Sequence, residues 1–263
     1  MIVTCGYLLN SIQVTSFTEK SLQETKHVIM EDFVRAICKI NENIVLMGLN
    51  NGKLIECKLQ LNKTSFKYNK IRFIYAHSSS ISIIEYDPHL NIIITAGDDS
   101  YIYIRKYNDF ELLTVINIDS SFKILSVKLS QLNCLYVLVC DTAIQNASNM
   151  KVIGYTLTGI EFGRSEYGLY TNMEILPNSN VILGCFDDTC TYNGEKTNIS
   201  NHVHILHGSH LTQLGRLKIL NEENKLVFIK YNAVSKVLFC FFINCFQGLE
   251  ILNDSMTENI MFN

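Results

Sequence analysis

Apolar residues along this chain come in short runs: IVLMGL, IIITAG, CLYVLVC, VILGC and VLFCFF, each bounded by Gly, Asn, Asp, Ser or Lys. Runs of that length, rich in β-branched and aromatic residues and closed by turn formers, read as strands. IIITAGDDSYIYI sets two such runs around a turn, and similar pairs recur along the chain. No stretch sustains a helical period; the charged segment after Ser21 comes closest, and it is short.

The runs keep a register. Asn91 opens IIITAG and Asp99 closes it eight residues on; Asn43 and Asn51, Asn133 and Asp141, Asn180 and Asp188, and Lys236 and Asn244 bracket the other runs at the same separation. Asn51, Asp99, Asp141, Asp188 and Asn244 therefore form a column, with spacings of about 48, 42, 47 and 56 residues, the period of a propeller blade. Asp and Asn suit the tight turn between two antiparallel strands, because their side chains accept hydrogen bonds from amides just ahead of them. Pro88 and Pro177 each stand eleven residues before a closing Asp, in the preceding hairpin turn, where a missing N–H costs no ladder bond.

The expected fold is thus all-β: a WD-type β-propeller of four-stranded antiparallel blades, with about six blade units, spanning 1–263 as a single domain. One blade reads Ser80–Asp87, Asn91–Ala96, Tyr101–Tyr107 and Glu111–Asn117. The ends are expected to be incomplete. The chain opens on second and third strands, IVTCGY and SIQVTSF, and stops after a third strand, as the closing part of a longer protein would.

Composition adds limits. Of 263 residues, 48% are hydrophobic and 18% charged, enough apolar material for a core and too little charge for disorder. The net charge of −3 gives no electrostatic case for nucleic acid or a polybasic membrane surface. Nine cysteines, an odd count with no CxxC spacing, mostly inside apolar runs, read as buried reduced thiols in a cytoplasmic protein. The apolar stretch from Ala233 to Leu252 is broken by polar residues too often for a membrane span.

The segment AHSSSISIIEYDPHLNIIITAGDDSYIYIRK resembles a WD repeat. The resemblance implies a hydrogen-bonded network of His77, Thr95 and Asp99, with Arg105 where the family has its tryptophan; the chain has no Trp at all. IVTCGYLLNSIQV, NMKVIGYTLTGIEFGRSEYGLYTNMEILPNSNVILG and the closing GLEIL resemble the propeller that follows the BEACH domain in neurobeachin-like proteins. That likeness implies a non-catalytic scaffold acting in membrane trafficking and protein localisation. It would bind protein partners, be cytoplasmic, and reach vesicle or organelle membranes only peripherally, through its parent or partners.

Other constellations are read more plainly. HVHILHGSH holds four of the seven histidines, and His202 and His204 share one face of a strand, so they are the candidate metal ligands; an exposed strand running into a polar turn accounts for them as well. No cofactor or resident metal is expected. The pairs Asp98–Asp99 and Asp187–Asp188 recur at one place in two blades, which fits turn formation rather than a single catalytic site. A channel-centred enzyme would need Glu85, Arg35, Lys39, Lys128 and Glu174 of the inner strands to converge. A subunit of another coat, ubiquitin-ligase or signalling complex is the remaining alternative. The polar segments after Cys140 and Cys190 read as insertions between second and third strands.

Overall fold

The computed structural model describes residues 2–5, 11–18, 21–61, 66–143, 149–189, 198–219, 224–243, 246–252 and 255–256, and every regular element among them is a strand. The chain forms two compact units, Met1–Ser120 and Ser121–Asn263.

The first unit holds three antiparallel sheets, each in sequence order. One is three-stranded: β1 (Ile2–Cys5), β2 (Ser11–Thr18) and β3 (Ser21–Ile29). The next has β4 (Val34–Lys39), β5 (Ile44–Leu49), β6 (Lys53–Leu61) and β7 (Phe66–Tyr75); the third has β8 (Ile81–Asp87), β9 (Ile92–Gly97), β10 (Tyr101–Lys106) and β11 (Leu112–Asn117). The second unit holds three four-stranded sheets. They are β12 (Phe122–Leu129), β13 (Cys134–Asp141), β14 (Met150–Thr156) and β15 (Glu161–Arg164); β16 (Tyr170–Ile175), β17 (Val181–Thr189), β18 (Asn198–Leu206) and β19 (Gln213–Ile219); and β20 (Leu226–Asn232), β21 (Val237–Phe242), β22 (Phe246–Leu252) and β23 (Ser255–Met256). Six sheets of consecutive antiparallel strands stand where the repeat placed six units.

Two end strands differ from the sequence expectation. The charged stretch after Ser21 is a strand, β3, because it pairs with β2 from Ser11↔Ile29 to Thr18↔Ser21, and that ladder occupies its backbone groups. The last sheet has a fourth strand after all, two residues long, paired Ile251↔Met256 and Leu252↔Ser255. The segment after Cys190 was expected to be an insertion loop; part of it instead prolongs a hairpin, which stays paired out to Thr189↔Asn198.

The apolar runs are the second strands, and both their faces are covered. On β5, Val45, Met47 and Leu49 pack in one cluster with Ile55, Cys57 and Val34, while Leu46 points the other way into a cluster with Ile81, Ile84 and Ile93 of the next sheet. Period-two alternation puts neighbours on opposite faces, so a strand buried on both sides reads as an unbroken apolar run. In the second unit, β17 repeats this: Leu183 and Cys185 join Tyr136 and Val152, and Ile182 joins Ile229 and Leu238. The first strands lie side by side, β4 against β8 and β12 and β20 on either side of β16, so each sheet behaves as a blade packed at its inner edge on its neighbour. Gly48 on β5 lets the neighbouring blade this close: a Cβ there would fall 2.6 Å from Ile81 Cγ2.

Polar clamps pin blade to blade across these apolar seams. In the first unit, Arg72 on β7 pairs with Glu56 on β6 and donates to the carbonyls of Tyr107 and Asn108 in the β10–β11 turn of the next blade. Tyr107 Oη returns a 2.7 Å bond to Glu56, and the Arg72 guanidinium lies 3.9 Å from the centre of the Phe110 ring. Burial, with the bond to Glu56, pushes the Tyr107 phenol up to about 12, so it stays a donor.

In the second unit the clamp is an amide. Asn172 on β16 donates to Ile229 O (2.8 Å) and accepts from Ile229 N (2.9 Å) on β20, so its side chain substitutes for a strand's peptide group. Asn201 on β18 does the same between Asn224 O (2.8 Å) and Leu226 N (2.7 Å). Lys230 Nζ and Glu174 add a 2.9 Å ion pair between the same two blades.

Glu56 is 4% exposed, so removing its cation should be costly. Arg72→Met is expected to destabilise the protein by about 2 kcal/mol in urea unfolding, the partial exposure of Arg72 holding it below the figure for a fully buried pair. Adding Glu56→Gln should restore part of the loss, because no buried carboxylate is then left without its cation.

Candidate functional site

The turn column can now be placed residue by residue. Asn51 Oδ1 accepts from Lys53 N at 3.1 Å, Asp99 Oδ1 from Tyr101 N at 3.3 Å, and Asp141 Oδ1 from Ala143 N at 2.9 Å. Each side chain thus binds the amide two residues on, in the turn or strand end after a second strand. Asn244 lies outside the described residues. Asp188 lies inside β17, opposite Ile199, rather than in a tight turn. Backbone conformation shows why. Asn91, Asn133, Ser179 and Lys236 all have positive φ, between 54° and 66°, just before the second strand of their blades. Eight residues on from Ser179 stands Asp187, so the register slips by one and Asp187 is the column's backbone equivalent.

A second Asx column was missed from sequence. Asn41, Asp87, Asn178 and Asn232 sit in the turns between first and second strands. Their Oδ1 atoms accept from Asn43 and Ile44, His89 and Leu90, Asn180, and Val234 and Ser235, at 2.8–3.2 Å. The legible signal was the position of Pro88 and Pro177, each adjacent to one of these residues.

His77, Thr95 and Asp99 are brought together. His77 sits in the β7–β8 link, with Nδ1 2.9 Å from Asp99 Oδ1 and Nε2 2.9 Å from Thr95 Oγ1 on β9. Asp99 also accepts from Ser78 N at 3.0 Å, which ties the link to the β9–β10 turn. Burial holds the His77 imidazole below the usual histidine range, against the pull of Asp99. The arrangement is therefore a neutral ring that donates from Nδ1 to an ionised carboxylate and accepts the Thr95 hydroxyl at Nε2. Burial would raise the Asp99 carboxyl, but the bonds from His77, Ser78 and Tyr101 outweigh it and keep Asp99 below its ordinary value.

Arg105, in the tryptophan position, reaches Phe110 O at 3.3 Å and does not join this network. The aromatic partner is Tyr103 instead, opposite Thr95 on β10, whose ring meets His77 edge to face at 4.7 Å. Sequence reasoning looked two residues further along and passed over it.

The two candidate metal ligands part company. His202 is 7% exposed, buried on β18 opposite Cys185, so the segment is not an exposed strand. His204, opposite Leu183, packs edge to face on Tyr170 at 6.1 Å. His207 and His210 stack on each other in the β18–β19 turn at 5.3 Å. Among the described residues no three His, Cys, Asp or Glu side chains are placed to share a metal ion. The described cysteines (Cys38, Cys57, Cys134, Cys140, Cys185 and Cys240) are free, and burial pushes Cys57 up to about 11 and Cys240 to about 12. Thiols held that high are packing residues and poor nucleophiles.

His204 and Tyr170 also line a cleft of about 740 Å³ in the second unit. One wall is β15 with the link 165–169 to β16; the other is the end of β18 and the start of β19. Buried Tyr170, Cys185, Leu206 and Leu211 make its floor, and Arg164, Glu166 and Arg216 stand exposed at its mouth. Hydrogen bonds fix the first wall. Ser165 N donates to Val152 O (2.8 Å), Val152 N to Ser165 Oγ (2.9 Å), Gly168 N to Met150 O (2.8 Å), and Tyr167 Oη to Asp141 (3.2 Å). Tyr136 Oη, kept protonated by burial that raises it to about 12, donates to Gly208 O at 2.8 Å and fixes the turn beside the other wall. The cleft is thus formed in advance, and its volume lies in the range of ligand pockets.

The blade geometry and the His–Thr–Asp network define the class: the fold is a WD-type β-propeller. No family model matches the chain, and no curated protein matches it. Solved structures do. One, the crystal structure of the mitotic checkpoint complex, aligns over 89% of this chain and 68% of that one with a TM-score of 0.59 at 11% identity. Another, Chaetomium thermophilum Sqt1 bound to the N-terminus of the ribosomal protein L10, aligns over 96% of this chain and 69% of that one with a TM-score of 0.65 at 10% identity. At such identities the likeness shows the fold.

The His77 network makes stability depend on pH. Both folded-state values lie below the unfolded ones, so the unfolded chain takes up protons first as pH falls, and the stabilisation present above about pH 6.5 declines below it. The melting temperature is expected to drop between neutral and mildly acid pH. In His77→Gln, thermal melts should start lower and show a shallower pH slope.

Proposed function

We propose that this chain is a non-catalytic protein-interaction scaffold, in which residues 1–263 act as one propeller. The observation that carries the reading is the pre-formed cleft in a fold whose buried charges are engaged in clamping blades. Glu56 is held by Arg72 and Tyr107, Glu174 by Lys230, and Asp99 by His77. Groups so engaged stiffen a frame, and a stiff frame presents loops and clefts at low entropic cost on binding. The Sqt1 neighbour holds the N-terminus of another protein, which is the kind of use inferred here. The net charge of −3 favours protein partners over nucleic acid.

The narrower context is the closing propeller of a BEACH-type, neurobeachin-like scaffold in membrane trafficking, cytoplasmic and peripheral on vesicle or organelle membranes. It rests on the segments IVTCGYLLNSIQV and GLEIL. A BEACH domain encoded ahead of Met1 would support it, and a gene lacking one would remove it.

The scaffold reading is tested with an array of short peptides of varied charge and hydropathy, probed with the full chain. Saturable capture of a sequence-related subset, with those peptides left chemically unchanged by mass spectrometry, is the expected outcome. A blank array, or turnover of a bound peptide, would sink the reading.

A further inference from the structure

The cleft of the second unit has a chemistry of its own. Its floor is apolar: Leu206 and Leu211 are 3% and 2% exposed, and the Tyr170 ring closes one side at 6%. Its mouth is cationic, with Arg164 on one wall and Arg216 on the other, against the single carboxylate of Glu166. That local surplus stands in a chain whose net charge is −3, so it is a feature of the site and not of the surface at large. Leu214, 55% exposed, shares the face of β19 with Arg216. Between them Gly215 leaves open space where a Cβ would sit. β19 is the last strand of its sheet, so its outer edge can receive an extended chain.

An apolar floor between two guanidinium groups selects a ligand carrying an apolar group flanked by carboxylates. The pinned wall 165–169 means that little ordering is needed on binding. Gly168 is part of that design: a Cβ there would lie 2.6 Å from Tyr170 Cζ, so the link can lie against the ring only with glycine at this position.

We propose that this cleft docks a linear acidic segment of a partner protein, its leucine or aromatic side chain seated on Leu206, Leu211 and Tyr170 and its flanking carboxylates meeting Arg164 and Arg216. The proposal rests on the scaffold reading and gives it a site and a partner chemistry. Arg164 already pairs with Glu161 at 2.8 Å through Nη2, which orients its fork at the mouth; Arg216 supplies the second cation from the opposite wall.

The test uses the full chain and a fluorescein-labelled peptide, Glu-Asp-Leu-Phe-Asp-Glu, followed by anisotropy, with an amide control (Gln-Asn-Leu-Phe-Asn-Gln), a basic control (Lys-Lys-Leu-Phe-Lys-Lys) and decanoate as competitor. The acidic peptide should bind, with affinity falling as salt rises, and the amide control should bind at least about tenfold more weakly. Arg216→Glu should weaken the acidic peptide at least about tenfold and favour the basic one. Thr212→Trp, an exposed residue at the mouth, should block the cleft; both variants should keep the wild-type melting temperature. Equal binding by wild type, R216E and T212W would overturn the proposal. So would decanoate binding in the cleft with none by the peptide, which would assign it to small amphiphiles. If the probe fails while the array yields peptides whose binding ignores T212W, the cleft assignment falls and the scaffold reading stands. If the array is blank too, both fall.

Discussion

The second strand of a blade has no solvent face. Leu46 and Met47, neighbours on β5, point to opposite sides and are both fully buried, and Ile182 and Leu183 on β17 do the same. A single four-stranded sheet cannot supply two covered faces, so such a strand is stable only between two other layers. Covering one second strand brings in the next sheet, whose own second strand then needs covering. Each transferred apolar side chain contributes roughly 1.5–3 kcal/mol. The repeat is therefore an energetic requirement before it is a symmetry.

Apolar burial is non-directional and would allow neighbouring sheets to slide. The polar side chains remove that freedom. Asn172 and Asn201 bind main-chain groups of the next blade through both amide atoms, and Arg72 binds two successive carbonyls while holding Glu56. Such bonds have fixed length and direction, and a shifted blade would leave buried donors and acceptors unmet. Register between blades is thus set by polar groups within seams that apolar groups hold together. The same division forms the cleft, where Leu206, Leu211 and Tyr170 supply the floor and bonded wall segments hold it open.

The His77 network belongs to this scheme. It joins a β7–β8 link to a β9–β10 turn and fastens one end of a blade, much as Asp141 and Tyr167 fasten the link that walls the cleft. One hydrogen bond separates an element that only stiffens from one that shapes a binding surface. The groups that make the frame rigid and those that could contact a partner are therefore adjacent, which suits a scaffold.

The sequence by itself determined the strands, the blade period and the Asx turns, because each is a local matter: alternation, β-branched content, and a side chain that binds an amide two residues away. It also placed His77, Thr95 and Asp99, whose spacing is that of one hairpin and its link. What it misplaced was decided elsewhere. The slip from Asp188 to Asp187 depends on a positive φ at Ser179, which no residue type announces, since Ser, Asn and Lys all adopt it here. The strand nature of the segment after Ser21 depends on its partner strand. The Arg72, Asn172 and Asn201 clamps and the cleft between β15 and β19 join residues from different blades, tens of positions apart. Their meeting is set by how sheets stack, and no local pattern encodes that distance.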